Sequence, residues 1–255
     1  MRYYSYMVPK KIRHHYISIG LASLLLAFGL AIAPSIHFSN NIVDISWPNC
    51  KHAAVYAQSG IVGVTGGLDF RPNPCLNDEF GWLNHAALYM NTGYPGVGYA
   101  RRFSHTPQQC QATASRCLAY NYGYNASLYA IHYAASRNAH SNLWWLDVET
   151  ENSWSTNTIL NKAALQGAVD ALKQTIPFVT IGIYSDGQQW SELTGGWHNH
   201  LPSWMATGAA QLSAARSACQ APSFGAGTNW LAQYTPRNVD INYPCNGLFE
   251  QHLLQ

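Results

Sequence analysis

Charge is what this sequence has least of. Lys, Arg, Asp and Glu together make up 10 % of 255 residues, and only 12 of those side chains are acidic. The formal +2 belongs to the N-terminus. Residues 1–40 hold Arg2, Lys10, Lys11 and Arg13 and no acid, leaving 10 basic against 12 acidic side chains beyond them. Without a basic surplus there is no electrostatic footprint for nucleic acid, and no such partner is expected. The chain has no C-x-x-C pair, which argues against a structural zinc site. It also lacks G-x-G-x-x-G and Walker patterns, which argues against a nucleotide fold. Internal repeats and low-complexity linkers are missing too, so the residues after the N-terminal segment are read as one domain, 41–255.

Residues 1–40 read differently from the rest. A basic start is followed by an uncharged apolar run from Tyr16 to Ala33. That pattern belongs to a signal peptide, with candidate cleavage sites at Gly29-Leu30-Ala31 and Ala31-Ile32-Ala33. An uncleaved N-terminal anchor is the alternative, since the run is at the short end of the spanning range. Basic residues stay cytoplasmic in either case, so the remainder is expected to be secreted or on the extracellular face, meeting the membrane only through this segment. All six cysteines follow it: Cys50, Cys75, Cys110, Cys117, Cys219 and Cys245. An even count in an exported chain points to disulfides. Spacing leaves the connectivity open among the many pairings that six cysteines allow; the guess among them is Cys50–Cys75, Cys110–Cys117 and Cys219–Cys245, the second requiring the chain to bend between its partners.

Strand-like and helix-like stretches alternate after the leader. The strand candidates are Asn41–Ser46, Gly60–Thr65, Ala86–Asn91, Leu143–Glu149, Phe178–Tyr184, Ser203–Thr207, Leu231–Tyr234 and Val239–Ile241. Helix-like segments lie between them. Ala112–Ala139 has an expected break around Asn121-Tyr122-Gly123, a second segment starts at Ser155 or Asn157, and a third runs from Asp186 to Gly195-Gly196. Alternation of this kind implies a parallel α/β domain, and an irregular, disulfide-stabilised (β/α) barrel of the TIM type fits better than an open sheet.

The most informative stretch is Leu143-Trp144-Trp145-Leu146-Asp147-Val148-Glu149-Thr150-Glu151. It begins as a buried strand and turns acidic where such a strand meets solvent. Alternation puts Asp147, Glu149 and Glu151 on one face and Val148 on the other, with roughly 6–7 Å between the first two Cβ atoms. A carboxylate cluster in so acid-poor a chain needs a physical reason, because burying carboxylates is costly unless they are paired or hydrogen-bonded. Catalysis is one reason. A buried network with Arg101 or Arg102, or a divalent-metal site on Asp147, Glu149 and Glu151, are others. Asp44 and Asp240 sit in similar settings on the first and last strands. These adjoin in a closed barrel, so all four carboxylates are expected at one mouth.

Several short motifs also occur in a telling order: Val43-Asp44-Ile45-Ser46-Trp47, Leu146-Asp147-Val148-Glu149, Ile181-Gly182-Ile183-Tyr184-Ser185, Gln233-Tyr234 and Val239-Asp240-Ile241-Asn242. The ordered set resembles the glycoside hydrolase family 25 lysozymes over most of residues 41–245. It also resembles a group of exported bacterial relatives of that family that carry a W-W-L-D-V-E-T-x-N-S-W stretch and several cysteines. The resemblance implies an irregular (β/α) barrel that cleaves the N-acetylmuramic acid to N-acetylglucosamine linkage of peptidoglycan. It makes Glu149 the general acid and Asp147 the residue that tunes it and orients an acetamido group, with Asp44 and Asp240 lining the same mouth. Trp47, Asn91, Tyr184, Gln233 and Asn242 become candidate substrate contacts, and Glu151, past the strand end, has no counterpart. No cofactor or metal is implied, the partner is a polysaccharide, and the chain is expected to act as a monomer. Two segments depart from the family: Gly63-Val64-Thr65-Gly66-Gly67 lacks its lysine and glutamate, and Leu88-Tyr89-Met90-Asn91-Thr92 replaces a tyrosine–histidine–phenylalanine stretch. A wall-binding barrel without turnover is therefore the alternative.

Overall fold

The computed structural model describes residues 36–51, 54–236 and 239–254. Of the leader expected at residues 1–40, residues 1–35 lie outside them. Among the described residues, no helix is long and apolar enough to cross a membrane.

Eight strands close into a barrel in chain order: β1 Ile36–Ile45, β2 Val55–Gly63, β3 Leu83–Asn91, β4 Leu143–Asp147, β5 Thr180–Ser185, β6 Ser203–Ala206, β7 Asn229–Tyr234 and β8 Ile241–Pro244. β1 starts ahead of the Asn41 expected for the barrel. Neighbours from β1 to β7 run parallel. β8 does not: it is antiparallel to both β7 and β1. This corrects the all-parallel expectation, and the cause is connection length. Only Thr235–Asp240 join β7 to β8, whereas a parallel crossover takes a dozen residues or more. Reversal brings the start of β8, rather than its end, to the mouth where β1 and β4 finish.

The helices are α1 Leu76–Gly81, α2 Val97–Ala100, α3 Ser115–Ser136, α4 Thr158–Thr175, α5 Gly187–Thr194, α6 Leu212–Gln220 and α7 Leu248–Leu253. β1 is followed only by a 3-10 turn, Trp47–Lys51, so the barrel is irregular as expected. The caps follow sequence chemistry. The Asn157 side chain accepts from the N–H groups of Ile159 and Leu160, and Asp186 accepts from that of Gln189. Gly195 ends α5 in the left-handed conformation, with φ 66°.

The break expected at Asn121-Tyr122-Gly123 is absent, and α3 is continuous over 22 residues. Gly123 is there for packing. A Cβ on it would lie 1.8 Å from the Ala164 carbonyl oxygen of α4, and one on Gly167 would lie 2.0 Å from that of Tyr120. Asn121 is buried without breaking the helix, because its amide donates to the carbonyls of Phe103 and Gln108. Phe178, expected to open a strand, is instead 97 % exposed with φ 56°, and β5 begins at Thr180.

β4 is buried along its whole length, and its two tryptophans serve opposite faces. Trp144 packs outward with Leu165 and Val169 of α4. Trp145 packs inward with Trp204, Trp230 and Ile61, its ring centroid 5.7 Å from that of Trp204. Gly182, its register partner on β5, makes room for the indole, since a Cβ there would sit 2.2 Å from Trp145 Cζ3. The barrel is thus plugged by aromatics below its mouth. Three disulfides fasten the periphery: Cys50–Cys75, Cys110–Cys117 and Cys219–Cys245.

Candidate active site

Above the tryptophan plug lies an open cavity of about 290 Å³. Its wall includes Asp44 at the end of β1, Asp147 at the end of β4, Glu149 just beyond it, and Asp240 just before β8. All four expected carboxylates meet there, and Glu151 joins them at the exposed rim.

Asp147 is 4 % exposed and tightly held. One of its oxygens accepts from the Asn91 amide, and the other lies 3.4 Å from the Asn152 amide nitrogen. Asn91 is itself fixed by the loop after β2: Thr65 Oγ1 donates to Asn91 Oδ1 at 2.8 Å, and the Gly67 N–H donates to it at 3.1 Å. So the two segments that depart from the family pattern form one network whose end point is Asp147. Burial raises the Asp147 carboxyl well above the usual carboxylate range, the charge of Glu149 adds to this, and the bonds from Asn152 and Asn91 oppose it.

Glu149 is half-buried, and its backbone carbonyl accepts from the Trp154 indole N–H at 2.9 Å. Its carboxyl is pushed from an ordinary 4.5 to about 7. Burial is the main cause, followed by the charges of Glu151, Asp186 and Asp240, while a hydrogen bond with Tyr184 pulls the other way. A carboxyl with that value is part protonated and part ionised at neutral pH, the condition for moving a proton in either direction.

Asp44 is tied to Tyr184 through a chain of hydrogen bonds. Tyr184 Oη donates to Gln233 Oε1 at 2.7 Å, and Gln233 Nε2 donates to Asp44 Oδ2 at 2.9 Å. Burial, then the charges of Asp240 and Glu149, raise the Asp44 carboxyl well above its usual range. Asp240 accepts from Thr235 Oγ1 at 2.7 Å, and its backbone carbonyl accepts from the Asp44 N–H. Burial and the surrounding carboxylates also keep the Tyr89 and Tyr184 hydroxyls protonated, so both remain hydrogen-bond donors beside the acids.

The other sequence candidates divide. Trp47, 44 % exposed, stands at the rim; Asn91, Tyr184 and Gln233 line the wall. Asn242 does not reach the cavity. It is buried beneath it, accepting from the Trp204 indole N–H at 2.7 Å and placing its amide nitrogen 3.3 Å from the Ile42 carbonyl oxygen. Its position on β8 turns it into the barrel. Arg102 lies over the rings of Phe70 and Phe103, not over the carboxylates. Among the described residues, no three His, Cys, Asp or Glu side chains are grouped to hold a metal ion. Lining residues missed in the sequence include Tyr89, Trp204 and Asn152. Tyr89 carried a signal, two positions before Asn91 on the same face of β3; Asn152 carried one too, as the asparagine of the W-W-L-D-V-E-T-x-N-S-W stretch.

Comparison with known proteins agrees with this barrel. A glycosyl hydrolase 25 of Streptococcus pneumoniae, GHIP, described as a virulence factor participating in host cell invasion, superimposes with a TM-score of 0.51 at 15 % identity, over 84 % of this chain and 93 % of that one. In fold, the chain resembles glycoside hydrolase family 25. A family model described as lysozyme-like protein 1 matches residues 113–235, the stretch from α3 to the end of β7 that contains Asp147 and Glu149. No curated protein sequence matches the chain. Likeness at this identity speaks for the barrel; chemistry has to be argued from the site.

Proposed function

We infer that the chain is an exported glycoside hydrolase that cleaves an amino-sugar polymer of the peptidoglycan kind, with Glu149 as general acid. One observation carries this reading: Glu149, poised near neutrality, opens into an accessible cavity that holds four further carboxylates. A glycosidase needs one carboxyl protonated to donate to the leaving oxygen, close to another ionised to stabilise positive charge at the sugar. Glu149 fits the first role. Asp147, gripped by two amides that favour its ionised form, fits the orientation of an acetamido N–H, and substrate-assisted hydrolysis needs little more. Asp44 and Asp240 line the same mouth as further carboxyl groups beside the reacting sugar, and Trp47 offers a ring face for it. Disulfides on three sides of the barrel support an exported location.

The test is release of reducing ends from cell walls and amino-sugar oligomers by wild type and Glu149→Gln. Turnover by wild type that is lost in the variant supports the assignment. Equal inertness across these polymers sinks it. The second reading, a wall-binding barrel, is favoured by the end of β2 and the loop after it, where Gly63 and Gly66 occupy the place of the family's lysine and glutamate. Wall binding that survives Glu149→Gln, with no product from either protein, would select it.

A further inference from the structure

A second cavity, about 520 Å³, adjoins the acidic one. The two share the exposed Trp47, which stands as the wall between them. Their chemistry is opposite. The acidic cavity is lined by five carboxylates and no Lys or Arg, whereas the second is lined by Lys51 and Arg71 and no carboxylate. Its remaining surface is mostly apolar, with Pro48, Pro72 and Pro74 among the contributors.

This trough is built into the fold. Lys51 ends the 3-10 turn after β1, and Arg71 belongs to the loop after β2. The Cys50–Cys75 disulfide ties these two segments together, with Cα atoms 5.5 Å apart. Within the loop, the Gly66 N–H donates to the Arg71 carbonyl at 2.8 Å, and Thr65 pairs with Pro72. A Cβ on Gly66 would lie 2.9 Å from the Pro72 carbonyl oxygen, so glycine is what allows the loop to fold back there. At its inner end the same loop grips Asn91 through Thr65 and Gly67. One short loop therefore lines the trough with Arg71 and secures Asp147 through Asn91.

We propose that this trough is a subsite for an acidic arm of the glycan, a short, partly apolar substituent ending in a carboxylate, held by Lys51 and Arg71 while its sugar sits against Trp47. The inference rests on the glycosidase reading and names what that site selects. The size falls within the range of small-ligand pockets. The proline walls are stiff, so seating an arm there orders little protein. The charge contrast also gives polarity along the groove. A neutral ring must enter the acidic end, because a carboxylate there would crowd five carboxyl groups with no Lys or Arg to offset it, and the acidic group must lie beyond Trp47.

The test uses amino-sugar oligomers of three kinds: neutral N-acetylated chains, chains with a carboxylated ether on the ring, and chains with a peptide on that carboxyl. Lys51→Gln/Arg71→Gln is the variant, both residues being exposed and outside the acidic cavity. Expected is about a tenfold loss of kcat/KM on acidic chains, carried by KM and shrinking in high salt, with neutral chains within about twofold of wild type. Whether the loss falls on the ring ether or only on the peptide form tells which carboxylate is held. Equal loss on neutral and acidic chains, or no loss on either acidic kind, overturns the proposal. Should wild type turn over none of the chains, equilibrium binding decides separately. Glu149→Gln must bind acidic chains more tightly than neutral ones, and the preference must vanish when Lys51 and Arg71 are also replaced; equal binding of the two kinds refutes the subsite.

Discussion

Replacing Glu149 by Gln should make the protein more stable while destroying its activity, and the size of the gain follows from the site. The carboxyl titrates at an ordinary 4.5 when the chain is unfolded and near 7 when it is folded. Below the lower value it is neutral in both states and contributes nothing. Between the two values the native state holds a proton that the unfolded chain has released, so stability falls as pH rises. Above 7 the full penalty for an ionised, desolvated carboxylate is present. At 1.36 kcal/mol per pH unit this amounts to about 3 kcal/mol. The side chain is half-buried, and solvent reaching it brings the expectation to about 1–3 kcal/mol. Glutamine keeps the shape and carries no charge. The variant should thus match wild type at pH 4 and exceed it at pH 8, by roughly 3–10 °C in Tm for a domain of this size. Thermal unfolding at both pH values, with the disulfides oxidised, measures it. Turnover should drop by about 10²–10⁴ over the same change. A variant no more stable than wild type at pH 8 would mean that Glu149 is comfortably ionised, and the argument for a general acid would go with it.

Three other perturbations test the scaffold. Asn91→Ala removes an amide donor from the buried Asp147 carboxylate and should cost about 1–3 kcal/mol in denaturant unfolding at pH 7. Part of that loss should vanish at low pH, where Asp147 is neutral, and a pH-independent loss would count against the network. Gly123→Ala places a methyl group against the backbone of α4 and should destabilise by about 2 kcal/mol or more, whereas Gly81→Ala, with open space around it, should fall within about 1 kcal/mol of wild type. Removing Cys219–Cys245, which closes a 26-residue separation, should lower stability by about 3 kcal/mol, read from unfolding of Cys219→Ser/Cys245→Ser against wild type.

Much of this was legible because chemistry and periodicity are local. The apolar run ending in Asp147-Val148-Glu149 announces a buried strand that meets solvent, and alternation alone puts both acids on the face opposite Val148. Asn157, Asp186 and Gly195 mark helix ends through their own side-chain or backbone preferences. Gly123 misled for the same reason. A glycine in a helical stretch reads as a break, because its use as a contact point for α4 depends on a partner 41 positions away.

The sequence by itself determined the alternation of strands and helices, the cysteine framework, and which carboxylates end up on strand faces, since each of these is written in neighbouring residues. The tertiary structure decided what those carboxylates face. Closure with a reversed β8 carried Asp240 to the mouth from the start of a strand and turned Asn242 beneath Trp204. It also set Asp186 and Asp240 near enough to raise Glu149, and brought Lys51 and Arg71 to one cavity beside a disulfide. Strand direction depends on how the ends of the chain meet, and a carboxyl's proton affinity depends on water exclusion and charges brought in from elsewhere. Neither quantity exists until the barrel closes.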